Sequence, residues 1–424
     1  MKVLIRKARI FNPGSTHHQQ VHDILVVNGI IKTIGTVEEK ADKVIEGNSL
    51  YLSTGFLDLR SFSQEPGNES METLESLAKA AAAGGFTQAV IMPNTKPVIQ
   101  TKESVSYFRN FSKNSLTQLL PAAAVTKECK GEDFTEMWDL YHSGAVAFTD
   151  GSKPLWNADI FLKTLQYLYP KNALLINRPE EVTLSVFGQM HEGVQSTLMG
   201  TKGIPAEAEE IMVMRDLKLL EYTEYRNTKP LLHFSCISSD AALKHIRKAK
   251  QKGLPVSCDV AAHQLTFTDE SLSGFDTNLK VSPPFRSTRD LKALKKGLED
   301  GTIDAIVTDH HPLDEERKNL EFDLADFGVI GLQTAFLAAL TFSGITIEHL
   351  IPLFTDNPRK ILGLELPKIE EGVTANLTLI EANTESVFEK KDILSLSKNS
   401  PYIGKTLKGK ILAVFNNKIS SVYA

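Results

Sequence analysis

From Gly55 to Leu364, short apolar runs alternate with longer stretches of helical periodicity, and this alternation restricts the chain to parallel βα units. Strands are expected at Gly55–Leu59, Ala89–Met92, Ala145–Phe148, Ala173–Ile176, Leu231–Phe234, Val256–Val260 and Ala305–Thr308, with Leu279–Val281 contributing to a further unit. Helices are expected at Met71–Ala83, Ala206–Glu221, Ser239–Lys252, Thr288–Glu299 and Gly331–Leu340. The fold class that follows is α/β, a TIM-like (β/α)8 barrel. Such a barrel carries its functional groups just beyond the C-terminal ends of its strands.

The two ends of the chain read differently. Val3-Leu4-Ile5, Asp23–Val27, Ile30–Ile34 and Val44-Ile45 are short strand-like runs, and Asn28-Gly29 is a strong two-residue hairpin signal. Ala375–Ile380, Gly409–Phe415 and Ile419–Tyr423 supply similar material, with Asn416-Asn417-Lys418 as a turn. The N-terminal set is too small to stand alone. The expectation is one small β-sandwich domain built from residues 1–54 and 365–424, with the barrel, residues 55–364, inserted into it.

With 42% hydrophobic and 23% charged residues, the chain can fill a large core and is not a disordered one. A net charge of −5 without a basic stripe argues against nucleic acid as a partner. No apolar run reaches the roughly 18–20 residues of a membrane span, and residues 1–7 lack a signal peptide's apolar segment. Cys129, Cys236 and Cys258 lie far apart with no CxxC pair, so a reducing, cytoplasmic setting without disulfides is expected.

Motifs then narrow the choice. Ala83-Gly84-Gly85-Phe86-Thr87 leads to Met92-Pro93-Asn94-Thr95-Lys96-Pro97-Val98, and Gly203–Glu209 is followed by Met214-Arg215-Asp216. Lys280–Arg286, Asp300–His310, Phe327–Ala335 and Asn357–Leu364 come after them. In this order the motifs resemble the dihydroorotase branch of the amidohydrolase superfamily, in its class I, multifunctional-complex form. The resemblance implies a metal-dependent barrel flanked by a β-domain. It also implies hydrolysis of a cyclic amide at a one- or two-zinc centre, where zinc held by imidazoles and carboxylates lowers the pKa of bound water to about 7.

The residues at the implied ligand positions do not suit that chemistry. The family's Asp-x-His-x-His motif reads Asp58-Leu59-Arg60-Ser61-Phe62, and its His-x-Glu-Asp motif reads Arg178-Pro179-Glu180-Glu181. Its last ligand histidine falls on Cys236, while His233 matches a histidine that does not ligate. Arginine offers only donors and phenylalanine offers nothing. Two acids survive: Asp309 matches the metal-binding carboxylate and proton shuttle, and Asp150 matches one member of an Asp-Asp-Gly pair whose other member is Gly151. On the substrate side Asn94 is kept, but Gln64, Ser282 and Leu313 stand where the family has arginine, asparagine and histidine. His233, His263 and His310 read as structural histidines. His310 and His311 are adjacent, so they point to opposite faces and do not chelate together. Asp150 and Asp309 read equally well as acceptors for backbone N–H groups.

Three readings follow. The first is a catalytically silent dihydroorotase homologue of pyrimidine synthesis, without a cofactor, in which Arg60 and Arg178 pair with Asp150 and Asp309 in place of metal. The resemblance allows this chain to be a structural partner of aspartate transcarbamoylase, and a homo-oligomer is expected. The second is an active cyclic amidohydrolase with an altered or single zinc site, its candidate ligands Asp150, Cys236, Asp309 and His310. The third is a carboxylate-binding protein whose contacts are Asn94, Gln64, Arg60 and Arg178.

Overall fold

The computed structural model describes residues 1–423. Five strands come first: β1 (Lys2–Phe11), β2 (Val21–Val27), β3 (Ile30–Gly35), β4 (Lys43–Ile45) and β5 (Leu50–Thr54). The barrel strands begin with β6 (Phe56–Ser61), β7 (Phe86–Ile91), β8 (Gln118–Ala123), β9 (Ala147–Phe148) and β10 (Leu175–Asn177). A short parallel pair, β11 (Met190–His191) and β12 (Gly203–Ile204), lies in the excursion after β10. The barrel then resumes with β13 (Leu232–Phe234), β14 (Val256–Ala261) and β15 (Ala305–Val307). The chain ends in β16 (Asn376–Val387), β17 (Thr406–Asn416) and β18 (Ile419–Val422).

The barrel strands lie in the order β6-β7-β8-β9-β10-β13-β14-β15. The ring closes from β15 to β6 through a parallel bridge between Ser61 and His310, and the Phe62 N–H donates to the His310 carbonyl at 2.8 Å. The lumen is filled by side chains from around the ring, among them Leu57, Leu59, Val90, Ala122, Ala147, Ile176 and Val307. Each of the leucine, isoleucine and valine side chains among them contributes roughly 1.5–3 kcal/mol by leaving water. Phe56, Phe86, Phe336 and Phe354 pack as an aromatic cluster between strands and outer helices.

One barrel strand differs from expectation. The extra strand is β8, not Leu279–Val281. Pro121 sits within β8 and cannot donate to a ladder, which hides the strand from a propensity reading. Thr277–Leu279 is instead a single 3-10 turn. Lys280 then turns inward, donating to the carbonyls of Phe322 at 2.6 Å and Asp323 at 3.3 Å.

The termini share one curled sheet, ordered β18-β17-β16-β5-β1-β2-β3, with β4 paired to β1. Asn28 and Gly29 both have positive φ, 50° and 79°, as a tight two-residue hairpin requires. The curl brings this turn back to the C-terminal strands, where Ala375 N–H donates to the Gly29 carbonyl at 2.8 Å. Ile5, Ile10, Leu52, Leu377 and Phe415 form the core enclosed by the curl. Only Gly55 separates β5 from β6, so the sheet fixes where the first barrel strand starts. A β-carbon there would lie 2.2 Å from Thr87 Oγ1, which explains the glycine. Among the described residues no helix is long and apolar enough to cross a membrane.

Candidate functional site at the barrel mouth

Just inside the mouth, Asp58 sews β6 to β15. It accepts from the Thr308 N–H at 2.9 Å, from the Thr308 hydroxyl at 2.7 Å and from the Ser61 hydroxyl. Burial pushes its pKa up to about 7, with these hydrogen bonds opposing the shift. Asp58 is therefore a seam residue and does not point its carboxylate at a ligand.

Arg60, two residues further on, is 1% exposed and occupies the centre of the mouth. Its Nε donates to Asp309 Oδ1 at 2.7 Å, and its two Nη atoms reach the Gly151 carbonyl at 3.3 and 3.4 Å. Met92 Sδ lies 3.8 Å from one Nη, and the guanidinium carbon sits 5.0 Å from the centre of the Phe62 ring. Phe62 in turn stacks on His311 with ring centroids 4.5 Å apart. One guanidinium thus joins the ends of β6, β7, β9 and β15. Asp309 holds a positive φ of 45°, a conformation unusual for a residue with a β-carbon.

Arg178 takes a different partner from the one expected. It pairs with Glu180 on its own loop, one Nη lying 2.6 Å from Glu180 Oε2, and donates to Ser282 Oγ at 3.1 Å and to the Ser152 carbonyl at 3.1 Å. Asp150 needs no arginine. It accepts from the N–H groups of Val125 and Thr126, both at 3.0 Å, and from the Thr126 hydroxyl. Burial still raises its pKa to about 6. Of the two acids expected to take an arginine, Asp309 does, from Arg60, and Asp150 does not, because local donors already satisfy that carboxylate.

Most of the remaining sequence candidates are also held by protein partners, although the buried Nε2 atoms of His263 and His310 have no hydrogen-bond partner. Asn94 donates to the Asp150 carbonyl at 3.0 Å and accepts from the Ser152 N–H at 2.9 Å, bracketing Gly151. A β-carbon on Gly151 would lie 1.8 Å from Asn94 Oδ1, so Asn94 fills the space a side chain at 151 would need. Gln64 donates to the Pro312 carbonyl at 3.0 Å. The Cys236 thiol is buried, and burial raises its pKa well above the ordinary value, keeping it neutral. His233 lies between Ser257 Oγ and Asp259 Oδ2, each 2.8 Å from a ring nitrogen. His263 is buried against Phe285, and burial lowers its pKa to about 4. His310 Nδ1 accepts from the Gly331 and Leu332 N–H groups at 3.2 and 3.4 Å, which places the ring proton on Nε2, 3.5 Å from Glu72.

Sequence reasoning missed two features. Between β16 and β17 a strap crosses the barrel loops. Asn399 donates to the His311 and Gly328 carbonyls at 3.0 and 3.1 Å and accepts from the Leu313 N–H at 3.2 Å. The buried Glu72 takes the Ser395 hydroxyl and the Ser76 hydroxyl. The only hint in the sequence is the polar run Ser395–Ser400, too long for a hairpin turn. The second feature is the Gly151 carbonyl, a backbone acceptor that no side-chain motif could mark.

Two family models match this chain: one described as dihydro-orotase-like over residues 50–226, and one for the amidohydrolase family over residues 197–416. The dihydroorotase of Pelotomaculum thermopropionicum is 37% identical over 414 residues, covering 96% of each chain. That of Ruminiclostridium cellulolyticum is 38% identical over 415 residues, again 96% of each. The chain belongs to the dihydroorotase-like amidohydrolases. In fold it is also similar to the L-hydantoinase of Arthrobacter aurescens, with a TM-score of 0.83 at 20% identity, covering 100% of this chain and 96% of the other. A D-hydantoinase from Thermus sp. gives 0.81 at 19%, covering 99% and 95%.

The resemblance implies zinc, and the residues at this mouth do not suit it as ligands. Arg60 is protonated on every nitrogen and has no lone pair to give. Asp309 already spends an oxygen on Arg60, Asp150 is held by three donors, and Cys236 is a neutral thiol. Among the described residues no three His, Cys, Asp or Glu side chains converge as ligands would. The altered-site candidates Asp150, Cys236, Asp309 and His310 are thus not brought together as a donor set.

Proposed function

We propose that this chain is a dihydroorotase-like protein that does not hydrolyse its family's cyclic amide and serves pyrimidine synthesis as a structural partner of aspartate transcarbamoylase. The observation that carries this reading is the Arg60–Asp309 contact at 2.7 Å, inside a mouth where both side chains are buried. Zinc, where a relative binds it, supplies an activated water and a Lewis acid. Here the cation at the mouth is a guanidinium, which can do neither. Without that help, opening an amide ring needs a free general base within reach of water. Asp309 is the residue suited by position, and its carboxylate is engaged by a permanent positive charge.

The same contact explains why the fold persists. Two buried ions left unpaired would each cost several kcal/mol, and the pair removes most of that cost while tying loops together. The carboxylate-binding reading has less support, since Arg60, Arg178, Asn94 and Gln64 are already hydrogen-bonded within the protein. The partner role rests on the family resemblance. The test is twofold. Purified chain mixed with dihydroorotate is expected to give no ring opening above buffer, and co-expression with aspartate transcarbamoylase from the same genome is expected to yield a complex stable to gel filtration. Turnover would overturn the first half of the proposal, and separate elution would overturn the second.

A further inference from the structure

Helices Asp240–Gln251 and Thr288–Glu299 lie side by side on the outside of the barrel, where Gly297 packs on Leu243 and the Asp240 N–H donates to Asp290 Oδ1 at 2.9 Å. Together they carry eight lysines and arginines against three acids, a net of +5 in a chain of net −5. All the other residues together therefore carry −10. The two helices are separate in residue order, and only the fold joins their charges into one face.

The ends of that face are neutralised and its middle is not. Asp240 takes Lys244 at 2.7 Å and Arg289 at 3.0 Å, and Asp300 takes Arg247 at 2.9 Å. His245 leans the other way, to Glu210 at 2.9 Å, so Lys244 and Lys248 stand between these contacts and point outward. Lys248, Lys292 and Lys296 are exposed, and among the described residues none of them has an ion-pair partner. Lys244 with Lys248, and Lys292 with Lys296, are four positions apart, so each pair shares one side of its helix. Like charges so spaced repel, which costs a few tenths of a kcal/mol per pair in the free chain. An opposite surface laid across both helices relieves that repulsion.

We propose that this basic face docks the acidic surface of a different protein, in a contact steered by charge and weakened by salt. The side chains present select that occupant. Lysine ammoniums are separate point charges and match carboxylates set singly on a protein surface. Single-stranded nucleic acid is held by aromatic rings and free guanidinium planes as well as charge. Neither helix has a phenylalanine, tyrosine or tryptophan, and both arginines are already paired with aspartates. A membrane surface asks for apolar side chains beside the cations, and neither helix exposes a large one. The inference stands on the outer face alone and holds whichever way the mouth is read.

Fluorescence anisotropy of labelled poly-L-glutamate with the full chain tests it, with polyuridylate and vesicles of phosphatidylcholine and phosphatidylserine as the other probes. Poly-L-glutamate is expected to bind at an ionic strength of about 0.01 M, where the Debye length is about 30 Å, and to be released at about 0.15 M. Lys248→Glu, Lys292→Glu and Lys296→Glu combined should raise its Kd about tenfold or more. Lys40→Glu, Lys368→Glu and Lys418→Glu combined make the same change in net charge on exposed lysines around the terminal sheet, and should raise Kd by less than about threefold. Absence of binding at low ionic strength would overturn the proposal, as would equal weakening by the two triple variants. Tighter binding of polyuridylate or of the vesicles would assign the face to another class of partner and overturn it too. So would self-association of the chain that the first triple variant abolishes.

Discussion

Arg60 and Arg178 sit across the same barrel mouth, at the ends of β6 and β10, and both are almost entirely buried. Arg60 pairs with a residue 249 positions away and, through Gly151 and Met92, holds the ends of four strands. Arg178 pairs with Glu180, two positions away, on its own loop. The first arginine cross-links loops distant in sequence. The second has its counter-ion on its own loop and reaches Ser152 and Ser282 through neutral acceptors alone. A buried ion pair matters to a fold in proportion to what it joins, and the two sides of this mouth separate those effects.

The largest expected effect comes from removing the long-range partner. Arg60→Ala leaves Asp309 buried without its counter-ion, and the loss should be about 3–5 kcal/mol, read by urea unfolding. Arg60→Ala combined with Asp309→Asn should recover part of that loss. Equal losses in the single and double variants would mean that the pair does not hold the mouth together.

Next comes the seam beside Arg60, where Asp58 makes stability depend on pH. Its folded pKa, about 7, is above the unfolded carboxylate value of 3.8, because burial disfavours the charge. The folded state therefore holds a proton that the unfolded state releases, and stability is lost as pH rises between those two values. Relative to Asp58→Asn, the wild-type chain should lose up to about 1.4 kcal/mol per pH unit between about pH 4 and 7, and should run parallel to it outside that window. A flat difference across the whole range would place the proton elsewhere.

The smallest effect is expected on the other side. Arg178→Ala should cost less than Arg60→Ala, because Glu180 keeps the Ser185 hydroxyl and is the more exposed acid, 15% against 9% for Asp309. A loss as large as that of Arg60→Ala would erase the distinction between local and long-range pairing.

Much of this was legible in residue order. The barrel follows from strand–helix alternation, and the shared sheet follows from strand-like ends with an Asn28-Gly29 turn. The strand at Gln118–Ala123 was not legible, since Pro121 breaks the propensity signal while neighbouring strands supply the order. Lys280 misled in the opposite direction: it lies between apolar residues, but its ammonium is buried against carbonyls and not alternated to a sheet face. At the mouth, motif register brought Arg60 and Arg178 near Asp150 and Asp309 but left open which would pair; the contact of Arg60 with Asp309 came from the structure. Arg178 could not be assigned, because its choice between Asp150 and Glu180 turns on backbone N–H groups at Val125 and Thr126 that no side-chain pattern reports.

The central claim is that the cation at this mouth is Arg60 and not a metal ion. Elemental analysis of the purified chain by mass spectrometry, after growth in zinc-supplemented medium, tests that claim directly. The account predicts well under one metal ion per chain and a thermal midpoint unchanged by EDTA. One or two tightly held zinc ions per chain, with a midpoint that falls when they are removed, would contradict it.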